Sequence, residues 1–440
     1  QGPLGGGLQG LSRVPLWLVE GMAEDLSVGH YDPHTAMWMR DAVLRNDLPT
    51  IDDLSDPRFF PYRYGQALMA FIAGRYGGNR AVADLFSNAT IGDLDMAFTM
   101  TTGLDADSLS TLWHRELRSF YTPLLAGRDL PESAGRRVLA KDVDAGDMNI
   151  APAVSPDGRY VAFISERGLF DIGIYLADTR TGKVIKRLTS QRTNPHFDAI
   201  RFINSAGTWS PDGRRFAFVT FAEGDNRLEI LDVQSGDVDR NIKIKGVGAF
   251  QNPAWSPDGR YIAFSGINGG ISDLYLYDVR ARTVRQLTSD RYADIHPDWS
   301  PDGRTLVWAT DRGPDGTNFE TLQYAPMRLG FMDVASGDIR VSVPFERAKH
   351  INPQFAPDGR SVFFISDPDG FSNIYRMDID SGEMARVTNV ATGVSGITDL
   401  APALSVADDT GLMMFSVFSD NNYAVYALDQ EQTEGMPVTP

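Results

Sequence analysis

Cysteine is absent from all 440 residues. No disulfide framework, thiolate metal site or cysteine nucleophile can therefore exist, although an exported bacterial protein can do without all three. Long apolar runs are absent too. No stretch of eighteen apolar residues occurs, which excludes a bilayer-spanning helix, and no charged-then-apolar leader opens the chain. Basic charge is scarce: 41 Lys and Arg stand against 58 Asp and Glu, a net charge of −17. That balance argues against a nucleic-acid surface or an anionic-membrane surface, both of which need clustered cations. The first residue is Gln rather than Met, so we expect a processed form or a piece of a longer protein. With 42% apolar residues, the chain has material for two or three sizeable cores.

Two unlike halves follow. Residues 15 to about 125 carry helical signals in "PLWLVEGMAEDLS", "DPHTAMWMRDAVLRN", "PYRYGQALMAFIAGRYG" and "DADSLSTLWHRELRSFY". In the second of these, Asp32 is placed as the helix cap and Pro33 at the first helical position. The polar, Gly- and Pro-bearing stretch 126–138 reads as a linker. From 139 to 440 the chain repeats itself: "APAVSPDGRYVAF" at 151, "AGTWSPDGRRFAF" at 206, "NPAWSPDGRYIAF" at 252, "HPDWSPDGRTLVW" at 296, "NPQFAPDGRSVFF" at 352 and a decayed "APALSVADDTGLMMF" at 401.

In each copy an apolar strand runs into a Pro-Asp-Gly turn and returns, and a third and fourth strand follow. Four antiparallel strands make one propeller blade. Six copies spaced 44 to 56 residues apart predict a six-bladed β-propeller. The Asp and Gly of each turn are expected to shape the turn and carry no chemistry. Residues 136–143 are expected to run beside the last blade and seal the ring.

The long connections at 191–205 and 311–328 fall at the end opposite the Pro-Asp-Gly turns, so protein or peptide partners are expected on that loop face. Asn252, His296 and Asn352 recur at one position just before the inner strands and are candidates to ring the channel mouth, with His296 read as a structural residue rather than a metal ligand.

The repeat resembles the TolB-like propeller, whose SPDG-type units match Ser155 to Arg159, Ser210 to Arg214, Ser256 to Arg260, Ser300 to Arg304 and Pro357 to Arg360. The helical half, over roughly residues 10 to 125, resembles the C-terminal part of a gluzincin metallopeptidase domain. Its "WLVEGMAE" matches that family's W-x-x-E-G-x-A-E, and "PYRYGQ" matches P-Y-x-x-G. The resemblance implies that Glu20 is a zinc ligand, that Glu24 orients a metal-bound His, and that Tyr62 donates to the oxyanion at the scissile carbonyl, with Tyr64 as a substitute.

The family's H-E-x-x-H is found at none of the six histidines, and the family spacing places it just before Gln1. The chain alone is thus expected not to hydrolyse peptides. His30 and His34 stand at i and i+4, but Asp32 and Pro33 put a helix start between them. Two readings stay open: a fragment of an exported zinc metallopeptidase, periplasmic or extracellular, or a non-enzymatic propeller scaffold with a degenerate peptidase domain. On the second, Glu20 and Glu24 face solvent or pair with Arg40 or Arg63.

Overall fold

The computed structural model describes residues 14–168, 171–189, 205–222 and 224–439. They form two units, Gln1–Arg128 and Asp129–Pro440. The first is helical: α1 (Leu16–Val28), α2 (Pro33–Arg45), α3 (Pro61–Tyr76), α4 (Asn79–Ile91), α5 (Leu94–Thr102) and α6 (Ala106–Leu125). Local chemistry sets the helix starts. Asp32, Asp93 and Asp105 each accept a backbone N–H from three residues on, and Pro33 opens α2 where its missing N–H costs nothing. Helices α4 and α5 were not among the four sequence segments; α4 has no side-chain cap and follows Gly78, so its start carries no sequence signal. Trp17, Leu68, Ile72, Leu85, Phe98 and Trp113 are the centre of the helical core. Trp17 stacks on Phe98 with ring centroids 6.4 Å apart.

The second unit is a six-bladed β-propeller. Blades 1 to 5 run inward to outward in chain order, from inner strands Asn149–Val154, Thr208–Trp209, Ala249–Trp255, Asp294–Trp299 and His350–Phe355. Blade 6 takes its inner three strands from the C-terminal side (Leu404–Val406, Met413–Ser419, Asn422–Leu428) and its outer strand, Arg136–Leu139, from the N-terminal side. This is the expected ring closure.

The stretch expected as linker divides accordingly. From Asp129 the chain lies in the propeller unit, with Ala134 buried in a propeller core and Asp129 bridging to Val390. A contact not signalled in the sequence is the C-terminal strand Met436–Val438, which adds antiparallel to Met384–Arg386 as a fifth strand on blade 5.

Each Pro-Asp-Gly turn is a closed hydrogen-bond unit. In blade 1, Ser155 Oγ donates to Asp157 Oδ1 at 2.6 Å, the Arg159 N–H donates to the same oxygen at 3.1 Å, and Gly158 has φ 72°, where a Cβ is penalised. The Ser–Asp bond recurs at Ser210, Ser256 and Ser300. These residues build turns, as expected.

Candidate functional site

The two glycines of the helical motifs place the candidate residues. A Cβ on Gly21 would lie 2.3 Å from the carbonyl carbon of Gly65, and one on Gly65 would lie 2.2 Å from the Trp17 carbonyl oxygen. Helices α1 and α3 therefore cross backbone against backbone. Glu20 and Glu24 stand beside that crossing on α1, and Tyr62 stands one turn before it on α3.

The Tyr62 pKa is raised, first by burial and then by the neighbouring carboxylates Glu20 and Glu24. Tyr62 thus stays a neutral donor at ordinary pH. Arg63 Nη1 lies 3.9 Å from Glu24 and 3.2 Å from Asp32, the cap of α2. The close approach of the glycines was not argued from the sequence, although both sit at fixed offsets within the two motifs.

The other candidates separate. Tyr64 is buried with its pKa raised by desolvation, edge-on to Phe59 and Trp38, so it packs. His30 Nδ1 meets Asp25 at 2.9 Å from outside the helix, while His34 is buried within α2. The two do not form a pair on one helix face.

A zinc ion takes three protein ligands or more. Among the described residues, Glu20 belongs to no group of three ligand-type side chains, so those residues alone do not fit the ion.

In the propeller, the recurring position of Asn252, His296 and Asn352 lies within the inner strands rather than before them. All three residues are buried, and all have φ between 50° and 56°, at a bulge where the ladder register shifts. Asn and His tolerate that left-handed conformation better than most residues, which accounts for the recurrence. His296 is engaged by backbone: its Nδ1 accepts the Asn352 N–H at 3.2 Å, the Leu400 backbone engages the ring, and burial lowers its pKa to about 4. Asn352 Oδ1 in turn accepts the N–H groups of Ala403 and Leu404.

Two positions on, every blade is bridged to the next. Thr208, Asp298, Gln354 and Ser405 accept backbone N–H groups of Trp255, Phe355, Val406 and Val154. Where that position is Ala153 or Ala254, its carbonyl accepts the indole N–H of Trp209 or Trp299 instead. The channel inside this ring has a volume of about 260 Å³ and is lined by proline rings and by Asp298, Asp408 and Asp409.

On the loop face, the connection after Thr310 is a built structure. Arg312 bonds Asp290 at 2.8 Å and Asp294 at 2.5 Å, and Arg328 donates to the Pro314 and Asp315 carbonyls. It exposes Leu322 (65%) and Tyr324 (75%). Asp273, Asp290 and Asp294 are the one ligand-type cluster among the described residues, and Arg312 already supplies its cation. Most of the companion connection, 191–204, lies outside the described residues.

Residues 202–322 match the family model of the TolB beta propeller domain, PD40. No curated protein matches the chain. Among solved structures, TolB from Acinetobacter baumannii is similar at 18% identity and TM-score 0.47, covering 75% of this chain and 69% of its own. A putative TolB from Agrobacterium tumefaciens is similar at 21% identity and TM-score 0.45, covering 64% and 90%. An oligogalacturonate lyase in complex with manganese is similar at 18% identity and TM-score 0.45, covering 69% and 81%. Over residues 202–322, this six-bladed propeller is built of TolB-like PD40 repeats.

Proposed function

We propose that this chain is part of a zinc metallopeptidase-like protein, exported to the periplasm or beyond, whose propeller takes protein or peptide partners on its loop face. The observation that carries the reading is the Gly21–Gly65 crossing, which sets Glu20 against Tyr62. Two motifs more than forty residues apart meet at their own glycines, as a shared site requires.

Glu20 supplies one carboxylate, and the remaining zinc ligands and the general base come from residues outside this chain. Completed by those residues, the site would hold zinc through Glu20, and the ion would supply Lewis acidity there. Tyr62, kept protonated by burial and by its acidic neighbours, donates a hydrogen bond where negative charge develops. The rigid connection bearing Leu322 and Tyr324 supports the partner-binding role, since exposed aromatic and aliphatic side chains on a preorganised loop lose little entropy on docking.

A second reading, a non-enzymatic scaffold, is favoured by Arg63, which ties Glu24 to Asp32 as a structural ion pair would. Peptide hydrolysis by the protein expressed with the residues its gene encodes before Gln1 separates the two. Tyr62→Phe should slow turnover by about 10²–10³-fold with KM little changed. An extended protein with no peptidase activity would leave the scaffold reading standing.

A further inference from the structure

The outer rim of blades 2 and 3 has a charge opposite to that of the chain as a whole. In a protein of net charge −17, the groove between the outer strands Val238–Ile242 and Thr283–Gln286 is rimmed by Arg240, Lys243, Lys245 and Arg282. Its volume is about 670 Å³. Its one carboxylate, Asp239, is held by Arg215 at 2.9 Å, and Lys243 bonds Asp225. Arg240, Lys245 and Arg282 therefore have no carboxylate partner among the described residues. Between the cations the floor is apolar, formed by Ile242, Tyr277 and Val284.

Among the described residues both outer strands are the last of their sheets, so each carries a row of backbone groups with no ladder partner there. All four residues of Thr283–Gln286 are exposed. Blade 5 shows what such an edge accepts, because there Met436–Val438 lies antiparallel on the outer strand as an added strand.

We propose that this groove binds an extended acidic polypeptide segment that adds to the free edge of blade 3. Backbone pairing along Thr283–Gln286 holds it, alternate apolar side chains meet Tyr277 and Val284, and its carboxylates meet Arg240, Lys245 and Arg282. The site lies on the outer rim of the propeller and uses neither Glu20 nor Tyr62, so it stands whether or not the chain belongs to a peptidase.

The test is fluorescence anisotropy of a short labelled peptide alternating Glu with Val, titrated with the full chain. Binding should weaken with added salt, a peptide with Gln in place of Glu should not bind, and the Lys245→Glu, Arg282→Glu pair should weaken binding by at least about tenfold. The milder Lys245→Gln, Arg282→Gln pair, with an unchanged melting temperature, should give a smaller loss in the same direction. Acidic-peptide binding indifferent to both pairs would overturn the proposal. So would binding of single-stranded DNA or a sulfated oligosaccharide in place of the peptide. Self-association abolished by the charge reversal, without peptide binding, would assign the groove to a second copy and overturn it too.

Discussion

Asp298 shows how one side chain joins two jobs in the propeller. It is half-buried at the channel wall, and its carboxylate accepts the Phe355 N–H at 2.7 Å, which ties blade 4 to blade 5. Burial pushes its pKa up to about 8, and the Asp408 charge adds to the rise. A carboxyl raised in the folded state gives stability that is whole below its unfolded pKa and is lost as pH climbs through the folded value, here between about 4 and about 8. His296 and His350, both lowered to about 4 by burial, act in the opposite sense: their stability is present above the unfolded value and is lost as pH falls through about 4.

Asp298→Asn keeps an oxygen for Phe355 and removes the charge. It should raise the melting temperature at pH 9 and leave it nearly unchanged at pH 4; an equal shift at both values would contradict this assignment. The sequence set His296 aside as a structural residue but could not say what it holds, because a lone histidine shows only its type. The bulge that turns both its ring nitrogens toward backbone is a tertiary product of the inner strand. Asp298 drew no notice for the same reason, since its burial depends on the neighbouring blade.

At the level of elements, the crossing of α1 and α3 is the feature on which the candidate site depends. Gly→Ala inside a helix ordinarily stabilises by about 1 kcal/mol, but a methyl 2.3 Å from the Gly65 carbonyl carbon forces the helices apart. Gly21→Ala should therefore destabilise the helical unit by about 1–3 kcal/mol in denaturant unfolding. A gain in stability would show that the helices do not touch there. The Asp32 cap, the Pro-Asp-Gly turns and the repeat were legible because they are local, set by residues within a few positions of each other. Helix α4 and the added strand Met436–Val438 were not: the first lacks a side-chain cap, and the second is three residues with no alternation, a strand only because Met384–Arg386 offers it an edge.

At the level of the whole molecule, the propeller is closed by a strand from the opposite end of its own sequence. Val138, 1% exposed, sits in that strand between the last blade and the core shared with blade 1. An aspartate there buries an unpaired carboxylate, so Val138→Asp should cost about 2–4 kcal/mol and lower the propeller's melting temperature; an unchanged melt would contradict the closure. The six-fold repeat announced this architecture, and the need to cover sheet edges announced the closing strand. The division at Asp129 falls inside the expected linker, but that Asp129 and Ala134 belong to the propeller could not be read, because they do so only through contacts with residues distant in sequence, Val390 among them.

The central claim, that Glu20 is one ligand of a zinc site completed from outside this chain, is met most directly by metal analysis of two proteins, this chain and the chain extended by the residues its gene encodes before Gln1. One carboxylate does not hold zinc against water, whereas three protein ligands do. This chain should purify with far less than one zinc per molecule, the extended protein with about one, and Glu20→Ala in the extended protein should remove most of it. An extended protein that is metal-free, or that keeps its zinc without Glu20, would contradict the account.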